Sequence, residues 1–318
     1  MITLQSHALR LSIAPEIGAG ITDFSLKSPS GVGGVGGFTP LMRRAAPNES
    51  NASNFASFFM APWVNRIRGG QFTFNGKRHA IATNTADGMA QHGDVRKRPW
   101  RLTQQSANSL VCEFDSTDFS DTNWPWPFAC RALYTLLGTE RGGALRIDFL
   151  LRNLSDQPMP AASGHHPYFM RRLWRSDDDL HIQVPIAARY PLAQGCATGP
   201  ATEDDLTRRL HTRAPIPIEP IDAVFAATTN PPNTAELHWP ASRVTLRINA
   251  SANFSHWVVF APHDPVSNKP LPYIAVEPQT AVNDALNLAA KGIDYTGTTT
   301  LKPNAELATT CTFEVTAE

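Results

Sequence analysis

No apolar run in the sequence approaches the ~20 residues that a membrane-crossing helix needs. The first residues, MITLQSHALRLSIAP, lack the basic segment followed by an apolar stretch that marks a secretory leader. A soluble, cytoplasmic protein is the expectation from both absences. Charge of one sign is not in excess either. Lys plus Arg number 28 and Asp plus Glu number 28, which gives no electrostatic reason to expect nucleic acid or an anionic membrane as partner. Cysteine is scarce. Cys112, Cys130, Cys196 and Cys311 form no C-x-x-C pair, which argues against a zinc ribbon or a dithiol redox motif and leaves free buried thiols as the expectation. The Gly-rich stretch GVGGVGGFTP (31–40) lacks the Gly-Lys-Ser/Thr ending of a phosphate loop, and no helical pattern follows it. It reads as a flexible surface loop.

What is present reads mostly as strand. In FTFNGKRHAI (72–81), Asn75-Gly76 separates two β-prone runs, and Asn-Gly suits a two-residue hairpin turn whose central positions need positive φ. Residues 131–152 give two alternating runs around a Gly-bearing turn, a second hairpin. RVTLRINA, HWVVFAP, YIAVEP and TTCTFEVTA are further strands, rich in β-branched and aromatic residues. The best helical segment is NDALNLAAKG, from a possible Asn283 cap to a terminal Gly. The 26 prolines fall between these runs and punctuate them. No linker divides the chain and no internal repeat is visible. The expectation is one all-β domain over residues 1–318, a large antiparallel β-sandwich with few short helices.

Chemistry-bearing residues cluster at the ends of these runs. The stretch SGHHPYFM carries His165 and His166, AQHGDV carries His92, and PIDAVF carries Asp222. Glu277 follows directly on an apolar strand, and Arg66 and Arg68 precede the first hairpin. His92, His165, His166 and Glu277 are suitable metal-ligand types. The spacing argues against a shared ion, because adjacent side chains on a strand point to opposite faces. By the same alternation, one of the two adjacent histidines faces a cleft and the other faces inward.

Together, NRIRGGQFTFNG (65–76), HG (92–93), HHPYF (165–169), IDAVF (221–225) and VEPQTAVNDA (276–285) resemble the aldose 1-epimerase, or galactose mutarotase, family. The motifs occur in the family order from about residue 60 to 285. The resemblance implies a β-supersandwich with an open cleft on one sheet face, and neither cofactor nor metal. It implies Glu277 as general base and His166 as general acid, with Arg66, His92 and Asp222 binding substrate. The implied partner is a small-molecule sugar, and the chain is expected as a monomer or homodimer. The region 171–215 departs from the family pattern, so loops expected to line or flank the cleft leave the sugar unspecified.

Three readings of function follow. The first is a mutarotase acting on a neutral hexose. The second is a hexose-6-phosphate 1-epimerase of the same fold, with a cationic pocket from Arg96, Lys97 and Arg98 or from Arg171 and Arg172. The third is a non-catalytic sugar-binding protein. A glycosidase needs two carboxylates flanking the bond, and Glu277 has no evident partner in the sequence.

Overall fold

The computed structural model describes residues 1–30, 32, 37–229 and 232–318. Its regular elements are mostly antiparallel strands, with two short α-helices among the described residues, Asp205–His211 and Ala285–Ala290. No helix among the described residues is long and apolar enough to cross a membrane.

A nine-stranded sheet forms one layer. Its strands run in the order Arg101–Gln105, Ser109–Asp115, Phe128–Thr139, Gly142–Asn153, Glu306–Ala317, Val244–Ala250, Thr234–Trp239, His181–Gln183 and Ala214–Pro215. The long strands alternate strictly. Phe128, Cys130, Ala132, Tyr134 and Leu136 are buried, and the residues between them are not fully so. Period-two burial of this kind belongs to a sheet with one face on the core.

A seven-stranded sheet carries the second layer. Its order is Ile186–Arg189, Ile221–Ala227, His256–Ala261, Tyr273–Gln279, Gly164–His165 and Phe59–Met60, with Tyr168–Met170 also paired to Tyr273–Gln279. Here Ile274 through Gln279 are all buried. Alternation still operates: Ile274 and Val276 join the main core, while Ala275 faces the other way into a separate cluster with Phe58, Tyr168 and Ala281. Glu277 and Gln279 therefore share that second face. One contiguous buried cluster runs from Leu4 to Val315, with Trp239, Trp257, Phe149 and Phe313 fully enclosed.

The hairpin turns follow the sequence. Phe74 pairs with Lys77 across Asn75 (φ 47°) and Gly76 (φ 72°), the positive pair that a type I′ turn requires. Thr139 pairs with Gly142 at the second hairpin. All four cysteines are free and buried.

Three expectations need correction. Helix Ala285–Ala290 is preceded by Asp284 in a left-handed conformation, and Asn283 does not cap it. The Asn283 amide instead donates to the Gly195 carbonyl at 2.7 Å. Helix Asp205–His211 went unread, although Asp204 caps it by accepting from the Thr207 N–H. Of the expected loop at 31–40, Phe38–Pro40 forms a strand. Residues 31 and 33–36 of that stretch lie outside the described residues.

Candidate active site

A cleft of about 570 Å³, counting its open mouth, lies on the outer face of the seven-stranded sheet. Its lining includes Glu277, His166, Arg66, His92 and Asp222, so the five residues singled out in the sequence meet in one place.

The sheet register explains how. Glu277 pairs with Val258, and Asp222 pairs with Phe260 two residues further along the same central strand. Two strand spacings and one two-residue step put their Cα atoms roughly 12 Å apart. His166 leaves the sheet edge just before Tyr168, which pairs with Ala275. Arg66 and His92 arrive on a separate small ribbon in which Arg66 pairs with Gln91. Asn65 (φ 47°) and His92 (φ 62°) turn the backbone there, and the His92 N–H donates to the Asn65 carbonyl at 2.7 Å. The Asn65 side chain also accepts from the Arg66 guanidinium at 3.1 Å. Asn tolerates the left-handed region better than most residues, which gives the NRI motif a physical reason.

The two adjacent histidines separate as the pleat requires. His165 packs in the interior against Phe59 and Phe254, and burial pushes it down to about 3. His166 faces the cleft. Its Nε2 lies 3.1 Å from Glu277 Oε1, and the two side chains are 6% and 1% exposed. Phe58 and Tyr168 pack on its ring at centroid distances of 4.7 and 4.5 Å. His92 meets it edge-on at 5.1 Å. Glu277 Oε2 accepts from the Gln279 amide at 2.9 Å.

Burial sets the protonation of this pair. It raises Glu277 well above the usual carboxylate range, and Asp222 adds to the rise, while the Gln279 hydrogen bond and Arg66 oppose it. His166 is pushed well below the usual imidazole range by burial first, then by the positive charges of Arg43, Arg96 and Arg66. His92 is lowered by burial, with His166, Arg96 and Arg66 contributing. The arrangement holds a buried imidazole and carboxyl 3.1 Å apart, with arginines on their flanks and a carboxylate at the far side.

Sequence reasoning passed over several lining residues. Tyr168, Phe58 and Phe260 line the cleft, as do Ser53, Asn65 and Gln91. Tyr168 and Gln279 each sit two positions beyond a residue that was singled out, on the same face of the chain, so alternation could have found them. Of the cationic candidates, only Arg96 reaches the cleft. Arg98 is paired with Asp94 and Asp121 instead. Arg171 and Arg172 do not line it, and neither does any residue of the divergent region 171–215. That region flanks the site at one point: a Cβ on Gly195 would lie 2.8 Å from the Arg66 guanidinium. No group of three or more His, Cys, Asp or Glu among the described residues is placed to hold a metal ion.

Several known proteins are similar to the chain. The uncharacterized protein YihR of Escherichia coli (strain K12) is 26% identical over 134 residues, which is 41% of this chain and 41% of that one. The match thus spans about two fifths of the length of that curated relative. A galactose mutarotase-like protein of Clostridium acetobutylicum has a solved structure that superposes with a TM-score of 0.80 at 17% identity, over 99% of this chain and 95% of the other. The aldose epimerase homologue of C. elegans gives 0.78 at 17% identity, over 100% and 99% of the two chains. At such identities the structures share the fold. The family model for aldose 1-epimerase matches residues 1–314, and the chain belongs to that family.

Proposed function

We propose that the protein interconverts the α and β anomers of a hexose by acid–base ring opening and closure. The observation that carries this reading is the contact between His166 Nε2 and Glu277 Oε1, 3.1 Å apart on a cleft wall. Glu277 takes the proton of the C1 hydroxyl. His166 gives a proton to the ring oxygen as the C1–O5 bond breaks. The open-chain aldehyde rotates about C1–C2, and closure on the other face returns both protons. Positioned acid or base catalysis of this kind contributes ~10² to 10⁴ in rate per group.

The shifted titrations fit a couple that carries one proton. Burial disfavours either group standing charged alone, so the resting pair is best written as neutral Glu277 acid beside neutral His166. Transfer of that proton from Glu277 to His166 converts it to carboxylate and imidazolium, the form that opens a cyclic sugar. After ring opening the proton count is unchanged and the pair is neutral again. The two groups titrate as a unit, and apparent values belong to the pair.

A pH dependence follows. Activity falls at low pH when the pair gains a second proton, and at high pH when it loses its only one. With His166 depressed below 6.5, the acid limb of kcat/KM is expected below pH 6.5. With Glu277 raised above 4.5, the alkaline limb lies above the ordinary carboxylate range. Anomer-exchange rates measured by NMR across pH check this, and an acid limb above pH 6.5 would contradict it. Arg66, His92 and Asp222 hold the sugar hydroxyls, the first two as donors and Asp222 as acceptor.

Polarimetry on freshly dissolved α-anomers of hexoses tests the reading directly. The expected result is accelerated relaxation to the anomeric equilibrium. Tight sugar binding with no acceleration would favour a binding protein that has kept the cleft.

A further inference from the structure

We infer that Gly195 is a positioning residue for Arg66. The two-residue turn Gln194-Gly195 covers one face of the Arg66 guanidinium and fixes the edge that donates to the sugar. The sugar contact rests on the epimerase reading above; the hold on Arg66 does not.

The turn joins Leu192–Ala193 to Cys196–Ala197, with Ala193 paired to Cys196. Gln194 (φ 53°) and Gly195 (φ 70°) supply the positive pair of a type I′ turn. This hairpin belongs to the region that departs from the family pattern. Leu192 and Ala197 pack in one cluster with Val224, Val258 and Val282, and Val258 also lines the cleft. The hairpin therefore stands beside the cleft, at the side where Arg66 enters it.

A Cβ on Gly195 would lie 2.8 Å from Cζ, Nε and Nη1 of Arg66 alike. Equal distances to three atoms of one plane put that carbon over the flat face of the guanidinium and not at its edge. Only a residue without a Cβ lets the peptide lie against that face. The guanidinium N–H groups all lie in the plane, so a covered face occupies none of them. Nη1 donates to Asn65 Oδ1 at 3.1 Å, which restrains rotation within the plane. One face and one edge are thus held, and the remaining N–H groups are left for the cleft that Arg66 lines.

The turn is itself located from two sides. Its Gly195 carbonyl accepts from Asn283 Nδ2 at 2.7 Å, and Asn283 is 1% exposed. The next residue, Asp284, donates its N–H to the Arg66 carbonyl at 2.7 Å and accepts from the Arg68 N–H at 3.0 Å. One dipeptide therefore places both the backbone of Arg66 and the turn that covers its side chain. On the solvent side, Arg68 donates to Gln194 Oε1 at 3.0 Å and to the Ala193 carbonyl at 2.8 Å. A guanidinium ordered before the sugar arrives loses less freedom when it binds, and this is how the turn contributes to affinity.

A double-mutant cycle against Arg66 tests this. NMR anomer exchange on glucose and galactose, against enzyme-free controls, gives kcat and KM. Ligand-observed NMR gives Kd for 1,5-anhydroglucitol and 1,5-anhydrogalactitol, which lack an anomeric hydroxyl and cannot turn over. Gly195→Ala drives a methyl into the guanidinium and is expected to raise KM and Kd by roughly 10-fold or more, with a much smaller change in kcat. Gly76→Ala carries the same kind of backbone strain with open space at its Cβ, and is expected to change neither. Arg68→Gln, at a side chain 40% exposed, loosens the turn without straining the backbone. It is expected to raise KM and Kd by roughly 3- to 10-fold, the scale of ordering one long side chain. Added to Arg66→Ala, neither Gly195→Ala nor Arg68→Gln is expected to change kcat/KM or Kd further. Equal effects with and without Arg66 overturn the inference, because the hairpin then acts on stability alone. Unchanged KM and Kd in Arg68→Gln overturn it too, even where Gly195→Ala fails to fold. Sugar binding by the wild type without accelerated exchange overturns the epimerase reading, and the cycle in Kd still decides on the turn. Binding of neither sugar overturns both.

Discussion

Glu277→Gln is expected to lower kcat for anomer exchange by about 10³-fold or more while the protein stays folded, in line with the ~10² to 10⁴ that a positioned base supplies. The substitution keeps the side chain's shape and its ability to accept from Gln279. It removes the group that takes up a proton. Glu277 is 1% exposed and rests as the neutral acid in this reading, so a neutral amide of the same shape leaves the buried charge unchanged. Thermal stability should therefore stay close to that of the wild type. A variant with an unaltered melting curve and no catalysis separates chemistry from folding. Wild-type exchange rates in Glu277→Gln would sink the acid–base assignment outright.

Gly93→Ala should produce the largest loss of stability of any single methyl added near the site. Gly93 has φ +69°, and a Cβ there would lie 2.2 Å from the carbonyl oxygen of Ala61 and 2.5 Å from its nitrogen. Both are backbone atoms, so no side chain can swing aside. The Ala61 oxygen also accepts from the Asp94 N–H at 2.9 Å, which ties the two segments together. A left-handed non-glycine residue costs ~1–2 kcal/mol. Overpacking typically adds ~1–3 kcal/mol. The total of roughly 2–5 kcal/mol corresponds to a fall in Tm of about 3–8 °C for a chain of this size. Activity should fall too, because His92 is the preceding residue. Gly76→Ala is the control. Its φ is +72° and nothing lies within 4 Å of the added carbon, so only the backbone cost of ~1–2 kcal/mol applies. Equal melting temperatures for the two variants would show that contact with Ala61 does not matter.

Much of the fold was legible because its signals are local. Asn75-Gly76 announces a type I′ turn on its own, and the alternation from Phe128 to Leu136 sets which face is buried. The two adjacent histidines were also separable, since the pleat sends His165 and His166 to opposite sides. What escaped depends on three-dimensional partners. Asn283 has the chemistry of a helix cap, but the Gly195 carbonyl claims its amide. Asp204 caps a helix only seven residues long, too short for a periodic pattern to emerge. Arg96 and Arg98 look alike in sequence. They differ because Asp94 and Asp121 lie within reach of one and not the other. The sequence therefore offered Arg96, Lys97 and Arg98 or Arg171 and Arg172 alike as a cationic pocket, of which Arg96 reaches the cleft, and the divergent 171–215 region, expected to line or flank the cleft, flanks it at Gly195.

The strand Glu306–Ala317 has a further consequence. It lies in the middle of the nine-stranded sheet, pairing with Gly142–Asn153 on one side and Val244–Ala250 on the other. During synthesis those two strands can each form hairpins with earlier neighbours, but they cannot be joined until residue 317 has left the ribosome. Until then each presents an open edge of unpaired N–H and C=O groups, the surface on which strands from different chains add to one another. Pairing Gly142 with Thr316 also closes a loop of more than half the chain, a slow step. The nascent chain therefore meets its greatest need of chaperone protection late, after most of its hairpins already exist.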